Sequence, residues 1–108
     1  MIEIFDTLYK RYSAIKAYCN DNKSIRDLVK VFVTAHKMKW INEKPQFKMV
    51  CDLGIKIPIN PKTGESFKRQ SFEYFRDKYY KGNKYSNDFD STYIEELNNV
   101  ENTLNELS

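Results

Sequence analysis

The sequence predicts a single, mainly α-helical domain of about five helices. Most apolar residues recur at steps of three and four, which is the spacing of one helix face. A length of 108 residues suits one hydrophobic core. An apolar content of 41% with 15% aromatic residues is too high for a disordered chain. Residues 1–108 are therefore expected to fold as one unit.

The first helix is predicted over residues 2 to about 18. Its apolar residues are Ile4, Phe5, Leu8, Tyr12, Ile15 and Cys19. The polar run at residues 20–23 is expected to end it.

A second helix is predicted over residues 25 to about 37. Ser24, with Asp27 three residues later, resembles a capping box in which aspartate replaces the preferred glutamate. Val31 and Val33 are β-branched and also fit a short strand, but the apolar residues keep the helical step. A helix is therefore the favoured interpretation.

The middle of the chain is predicted to hold a short helix followed by an extended arm. The run from residue 42 to Pro45 indicates a helix start, and Gly54 marks its end after about two turns. Residues 55–59 alternate isoleucine with lysine and proline, which indicates an extended segment with one buried face. The prolines favour an edge or a simple arm, and residues 60–64 supply a turn.

A fourth helix is predicted after this turn and continues to about residue 80. Ser66 or Ser71 is expected to cap it, and Gly82 follows its end. Its expected buried residues are Phe72, Phe75 and Tyr79.

The last helix follows a polar linker at residues 84–90 and begins after Ser91. Its apolar residues are spaced by 4, 3, 4 and 3, as in a coiled coil, and are Tyr93, Leu97, Val100, Leu104 and Leu107. The favoured partner of this stripe is the chain's own first helix. The alternative is a second subunit, which would make the protein a homodimer.

Charge is distributed unevenly along the chain. All 18 Lys and Arg and nine of the 15 acids fall within residues 1–85, which gives this basic helical body a net charge of +9. Residues 86–108, the acidic C-terminal helix, carry six acids and a net charge of −6. A basic body attracts polyanions, and the acidic helix either shields it or lies away from it. Ordinary solvated charge is the alternative.

The sequence indicates neither an enzyme nor a site for a metal or cofactor. His36 is the single histidine, the two cysteines form no CxxC motif, and motifs for hydrolases and phosphate loops are absent. Cys19 and Cys51 are expected to be reduced packing residues. No signal peptide or apolar run of about 18 residues is found, so a cytoplasmic protein without membrane contact is expected.

Residues 40–76 combine a short helix, an extended arm, a glycine turn and an aromatic helix. The residues that define this pattern are Trp40, Leu53, Gly54, Ile55, Gly64, Phe67 and Phe72. The pattern resembles the helix-turn-helix segment of small plasmid and phage DNA-binding proteins and of serine recombinase tails. The connector, which contains Pro58 and Pro61, is longer than the compact turn of repressors. The pattern is also similar to small phage anti-sigma proteins, which bind a polymerase subunit.

The resemblance implies DNA as the partner and the fourth helix as the contacting element. Lys68, Arg69 and Gln70 would face base edges, with Arg69 the best candidate for a base contact. Phosphates would be neutralised by Lys44, Lys48, Lys62, Arg76 and Lys78. A solvated helix face is the alternative for all these side chains.

Aromatic residues interleaved with lysine suggest a different contact. Tyr74 and the Tyr79-Tyr80-Lys81 run could stack on unpaired bases, although core packing and protein interfaces are the commoner uses of tyrosine. The expected function is a small nucleic-acid-binding regulator of phage or plasmid type that acts by binding alone. The alternative is a small protein inhibitor that docks on a host nucleic-acid enzyme. A structural assembly factor that uses the C-terminal heptads is a third hypothesis.

Overall fold

Five α-helices account for most of the described chain, so the prediction of a mainly α fold with about five helices is confirmed. They are α1 (Ile2–Cys19), α2 (Ile25–Lys37), α3 (Phe47–Asp52), α4 (Arg69–Asp77) and α5 (Ile94–Leu107). A computed structural model describes residues 2–20, 24–82 and 87–108, with side chains from Tyr9 onward. The predicted apolar contacts of Ile4, Phe5 and Leu8 fall outside the described side chains. So do residues 21–23 of the polar break and residues 84–86 of the predicted linker.

α2 is the central helix, with α1, α4 and α5 packed around it. Val31, Phe32 and Val33 are each at most 1% exposed although they point to different sides of the helix. α2 is therefore covered on several sides, and this packing outweighs the strand preference of the β-branched Val31 and Val33. The predicted cap is confirmed, because the Asp27 amide donates to Ser24 Oγ at 3.2 Å.

The end of α2 is a left-handed turn at a lysine. The Lys39 amide donates to the carbonyl of His36 (3.1 Å) and the Trp40 amide to that of Ala35 (2.9 Å). These are the two bonds of a Schellman motif, in which glycine usually holds the position that Lys39 occupies with φ of 61°. The reversal brings Trp40 to α1, where the guanidinium carbon of Arg11 lies 5.5 Å from the indole ring.

α3 begins two residues after Pro45, which is itself fully buried. Its end at Gly54 is confirmed: this glycine has φ of 71°, and the Ile55 amide donates to the carbonyl of Val50 at 3.2 Å. The Tyr12 hydroxyl of α1 donates to the Leu53 carbonyl at 3.0 Å. α3 is thereby attached to the helical body at its C-terminal end.

Between α3 and α4 lies the arm, residues 55–67. Its tip is a turn in which the amides of Gly64 and Thr63 donate to the Asn60 carbonyl, at 2.8 and 3.2 Å. The Asn60 amide donates back to the Glu65 carbonyl at 2.8 Å, and the Phe67 amide to that of Pro58 at 3.0 Å. Main-chain hydrogen bonds therefore close the arm on itself.

Two expectations for this region are wrong. Ile55 is buried but Ile59 is 57% exposed, because the arm leaves the core between them and its alternation no longer faces a neighbour. Ser66 is bridged to Ile59 within the arm and Ser71 lies inside α4, so neither caps this helix. Lys68 holds the N-cap position without a side-chain hydrogen bond, and α4 ends at Asp77, three residues before the predicted end.

α5 returns across α1 and α2. An antiparallel bridge between Tyr80 and Phe89 joins the chain after α4 to the chain before α5. Three residues of the heptad stripe, Leu97, Val100 and Leu104, are buried within this chain, while Leu107 is 45% exposed.

Candidate nucleic-acid interface

α4 has a buried face and an outer face. Phe72 is fully buried and lies against Phe32 of α2, with ring centroids 6.4 Å apart, and against Phe47 of α3 at 5.9 Å. Gln70 and Tyr74 are exposed, and their spacing of four residues places them on one side of the helix. We call Arg69, Gln70, Tyr74 and Lys78 the outer face of α4. These side chains are accessible to a ligand that approaches α4 from solvent.

A second anchor of α4 is Arg76, whose side chain is only 12% exposed. Its Nε lies 2.9 Å from Oδ1 of Asp77, and its Nη1 donates to the Pro45 carbonyl at 2.9 Å. Lys44, 13% exposed, lies 3.3 Å from the same Asp77 oxygen, and its Nζ lies 4.4 Å from the centroid of the Tyr80 ring. Lys44 and Arg76, both predicted to neutralise phosphates, are thus engaged within the chain.

The Tyr79 side chain sets the position of α4 relative to α2 and α5. It is 1% exposed, accepts a hydrogen bond from Arg26 Nε at 3.3 Å and donates one to Glu96 at 3.3 Å. Burial raises the pKa of the Tyr79 hydroxyl, which keeps it protonated as a donor. Because this hydroxyl joins α2 and α5 to the turn that directly follows α4, it limits the rotation of the helix that presents the outer face.

The remaining predicted contacts stay exposed. Lys68 and Arg69 have side chains that are 79% and 74% exposed, and their nearest carboxylates are Glu65 at 4.0 Å and Glu73 at 3.8 Å. Surface pairs of this kind are worth about 0–1 kcal/mol, so an external anion can replace them. The other exposed side chains of the predicted set are Lys48, Lys62, Gln70 and Lys78.

The charge pattern at the start of α4 is the reverse of the usual one. Its first turn, described in full, holds no acid, and Lys68 and Arg69 stand at the positive end of the helix dipole. Cations at this end are unfavourable for an isolated helix, whereas a nearby anion makes them favourable. α4 tolerates these unfavourable cations at its N-terminus, because the aromatic contacts of Phe72 hold the helix in place.

An exposed aromatic side chain lies at the centre of the outer face. The Tyr74 ring is 62% exposed and meets the Phe75 ring edge-on, with centroids 5.3 Å apart and an interplanar angle of 82°. Nζ of Lys78 lies 4.5 Å from the Tyr74 centroid and 5.4 Å from that of Phe75. The ammonium group of Lys78 thus lies over the ring of an exposed aromatic side chain.

A groove runs beside the arm. It has a volume of about 480 Å³ and is lined mainly by apolar side chains of the arm and of the α1–α2 corner. Its walls include Ile25, Ile57, Pro58, Ile59 and Phe67. Lys56, also on its wall, is an exposed cation that the sequence analysis missed, since nothing in its neighbours distinguishes it from other solvated lysines.

The side-chain cluster around His36 is a packing arrangement. Its Nδ1 is hydrogen-bonded to the Tyr80 hydroxyl at 2.8 Å, and its ring lies 5.4 Å from that of Phe89. Burial is the larger cause, and the charge of Lys44 the smaller one, that hold the pKa of His36 below its ordinary value. Burial also raises the pKa of the Tyr80 hydroxyl, so neither ring is charged at neutral pH.

Three further findings concern the described part of the chain. Its His, Cys, Asp and Glu side chains form no group of three that could hold a metal ion. None of its helices has both the length and the apolar composition that a bilayer span requires. Cys19 and Cys51 are not joined in a disulfide.

Comparison with protein-family models, curated proteins and solved structures found no match.

Proposed function

We propose that this chain is a small nucleic-acid-binding regulatory protein that acts by binding alone. Its contact surface is formed by the outer face of α4 and the arm. The observation that carries the proposal is the surplus of exposed cations there: Lys56, Lys62, Lys68, Arg69 and Lys78. The acids of the same stretch are exposed Glu65, half-buried Glu73, and Asp77, which is paired with buried cations.

The placement of the acidic helix supports this surface. Glu96 of α5 lies 2.8 Å from Lys30, and Glu101 lies 3.2 Å from Lys37. Both lysines belong to α2, so α5 compensates charge on the central helix and not on α4. The exposed cations of α4 are left for an external polyanion.

Within this proposal the side chains divide by role. Arg69 and Gln70 face base edges, since Arg and Gln make paired hydrogen bonds with guanine and adenine. Lys62, Lys68 and Lys78 contact phosphates and set affinity without sequence preference. DNA is the expected ligand, the arm takes the place of the short turn in a helix-turn-helix segment, and a cytoplasmic location is part of the proposal.

The test is fluorescence anisotropy of labelled duplex and single-stranded DNA at 50 and 200 mM salt. We expect micromolar or tighter binding at low salt. If the protein neutralises three to four phosphates of a duplex, its affinity should fall by about 40- to 150-fold between 50 and 200 mM salt. The proposal is overturned if no binding is seen at 50 mM salt, or if the affinity is the same at both salt concentrations.

A matched pair of variants locates the surface. Lys68→Ala/Arg69→Ala removes two exposed cations from α4, and Lys10→Ala/Lys16→Ala removes two exposed cations from α1. Net charge falls equally in both, so only a specific surface makes them differ. The α4 variant is expected to bind at least about tenfold more weakly than the α1 variant, because one phosphate contact and one base contact are lost. Equal losses would place the nucleic acid elsewhere.

A second candidate function is a protein-binding inhibitor, and the groove beside the arm favours it. Ile59 is 57% exposed at its rim, and an exposed aliphatic side chain next to an apolar groove is typical of a protein contact. Ile59→Ser, which removes the apolar side chain without changing the charge of the arm, would abolish capture of such a partner and should weaken binding to nucleic acid far less. Affinity capture with both forms of the chain separates the two functions.

A further inference from the structure

Tyr74 has a large aromatic ring that is mostly exposed to solvent and not packed in the core. In the described part of the chain four large apolar side chains are 45% exposed or more: Tyr9, Ile59, Tyr74 and Leu107. Tyr74 alone among them stands in the middle of a helix between exposed polar neighbours four residues away on either side, Gln70 and Lys78. It is the centre of the surface proposed above.

The ring of Tyr74 is also held in place. Phe75, which touches its edge, is itself packed against the hydrophobic core. Nζ of Lys78, on the next turn, lies over one face of the ring at 4.5 Å from its centroid, so a stacking base would use the opposite face. A side chain that is ordered before binding loses little conformational entropy when a ligand arrives.

The other aromatic candidates are not accessible. Tyr79 and Tyr80, which the sequence also suggested for stacking, are 1% and 3% exposed and have their hydroxyls in hydrogen bonds within the chain. Stacking on a base requires an open ring face. Tyr74 is therefore the aromatic residue of α4 that can meet this requirement.

We infer that the nucleic acid bound by the outer face of α4 contains unpaired bases and that one of them stacks on Tyr74. This rests on the proposed function and specifies its ligand as single-stranded. In a duplex each base face is covered by its neighbours, whereas in a single strand the face is open to an aromatic plane. Lys78, on the next turn of the helix, would contact a phosphate beside the stacked base, while Arg69 faces base edges as proposed above. The Watson–Crick edge of that base, free of a partner, faces Gln70.

The test compares Tyr74→Ala with Tyr9→Ala, a matched control. Tyr9 is 64% exposed on α1 and has an exposed lysine, Lys10, as its next residue, so it resembles Tyr74 in exposure and in the presence of a nearby cation. For an unstructured single strand of mixed sequence, Tyr74→Ala is expected to weaken binding about tenfold or more, because one stacked base is lost. Tyr9→Ala should match the wild type, and Tyr74→Trp should keep full affinity. Duplex affinity should change less than about twofold in all three variants.

Photo-cross-linking gives a second readout that does not depend on affinity. A single strand carrying 5-iodouracil is expected to cross-link at Tyr74, located by mass spectrometry of the cross-linked peptide. If Tyr74→Ala binds single strands as tightly as the wild type, or weakens duplex and single strand equally, the inference is overturned while the proposed function stands. If the wild type binds no nucleic acid at low salt, both are overturned.

Discussion

Lys30 of α2 and Glu96 of α5 form an ion pair in which Nζ lies 2.8 Å from Oε1. The same oxygen accepts the hydrogen bond of Tyr79 and lies 3.6 Å from Arg26. Burial alone would raise the pKa of Glu96, but the hydrogen bond and charge of Lys30 bring it below its ordinary value. The stability contributed by this carboxylate is therefore present above the unfolded-state pKa of glutamate and is lost as pH falls through the lower folded-state value.

Replacing Glu96 tests this junction. Glu96→Gln leaves Lys30, whose side chain is 16% exposed, without its closest counter-charge, and is expected to lower the free energy of unfolding by about 1–3 kcal/mol. Glu73→Gln, which removes the exposed i,i+4 partner of Arg69, should cost no more than about 0.5 kcal/mol. Urea unfolding at pH 7 followed by circular dichroism measures both. Equal effects would mean that Glu96 is only a surface charge.

A second prediction concerns pH and follows from His36. The groups that face it are the Tyr80 hydroxyl, the Phe89 ring and the charge of Lys44. Because its folded-state pKa is lowered, the unfolded chain binds a proton more readily, so stability falls as pH drops below about 6.5. The midpoint of thermal unfolding should be lower at pH 5.5 than at pH 7.5. The chain has a single histidine, so His36→Gln should remove most of this difference.

Arg76 is expected to act in folding and not in ligand binding. Arg76→Lys keeps the charge but cannot reach both Asp77 and the Pro45 carbonyl as the planar guanidinium does. We expect a loss of about 1–2 kcal/mol in the free energy of unfolding, the size of one or two hydrogen bonds. Affinity for nucleic acid, measured well below the unfolding temperature, should not change. A variant that folds normally but binds weakly would return Arg76 to the contact surface.

The heptad stripe of α5 gives a prediction about subunit contacts. Leu97 is fully buried within this chain, so Leu97→Ala should cost about 2–5 kcal/mol. Leu107, 45% exposed on the same stripe, is the control, and Leu107→Ala should cost far less. The unfolding temperature of the wild type should not depend on protein concentration, because the stripe is already covered by α1 and α2. A strong dependence would show that α5 also pairs subunits.

Periodicity in the sequence predicted α2 and α5 because each has a face that is buried against neighbouring helices. The inner faces of α2 and α5 meet neighbouring helices, so apolar spacing and burial agree from Ile25 to Ala35 and from Leu97 to Leu104. The start of α2 was predictable because the cap at Ser24 depends on residues three positions apart. The left-handed turn at Lys39 was not, since the residue usual at that position is glycine and a lysine gives no signal of a positive φ.

The candidate site was predicted less completely, because exposure depends on contacts far along the chain. Arg76 and Arg69 look alike in the sequence, yet Pro45, 31 residues away, accepts a hydrogen bond from Arg76. Ile55 and Ile59 belong to one alternating pattern, but the pattern does not indicate where the body ends and the arm begins. Tyr74 and Tyr79 differ in the same way: Tyr74 is exposed, whereas Tyr79 is buried and its hydroxyl joins α2 and α5 to the turn after α4.

The arm is closed by main-chain hydrogen bonds, which set the path of its backbone. The side chains of Lys56, Lys62 and Glu65 are exposed and take no part in the main-chain bonds between Asn60 and Glu65. Substitutions at these three positions change the charge that the arm presents without changing the path of its backbone. Variants of the arm can therefore acquire new ligands while the helical body beneath them stays the same.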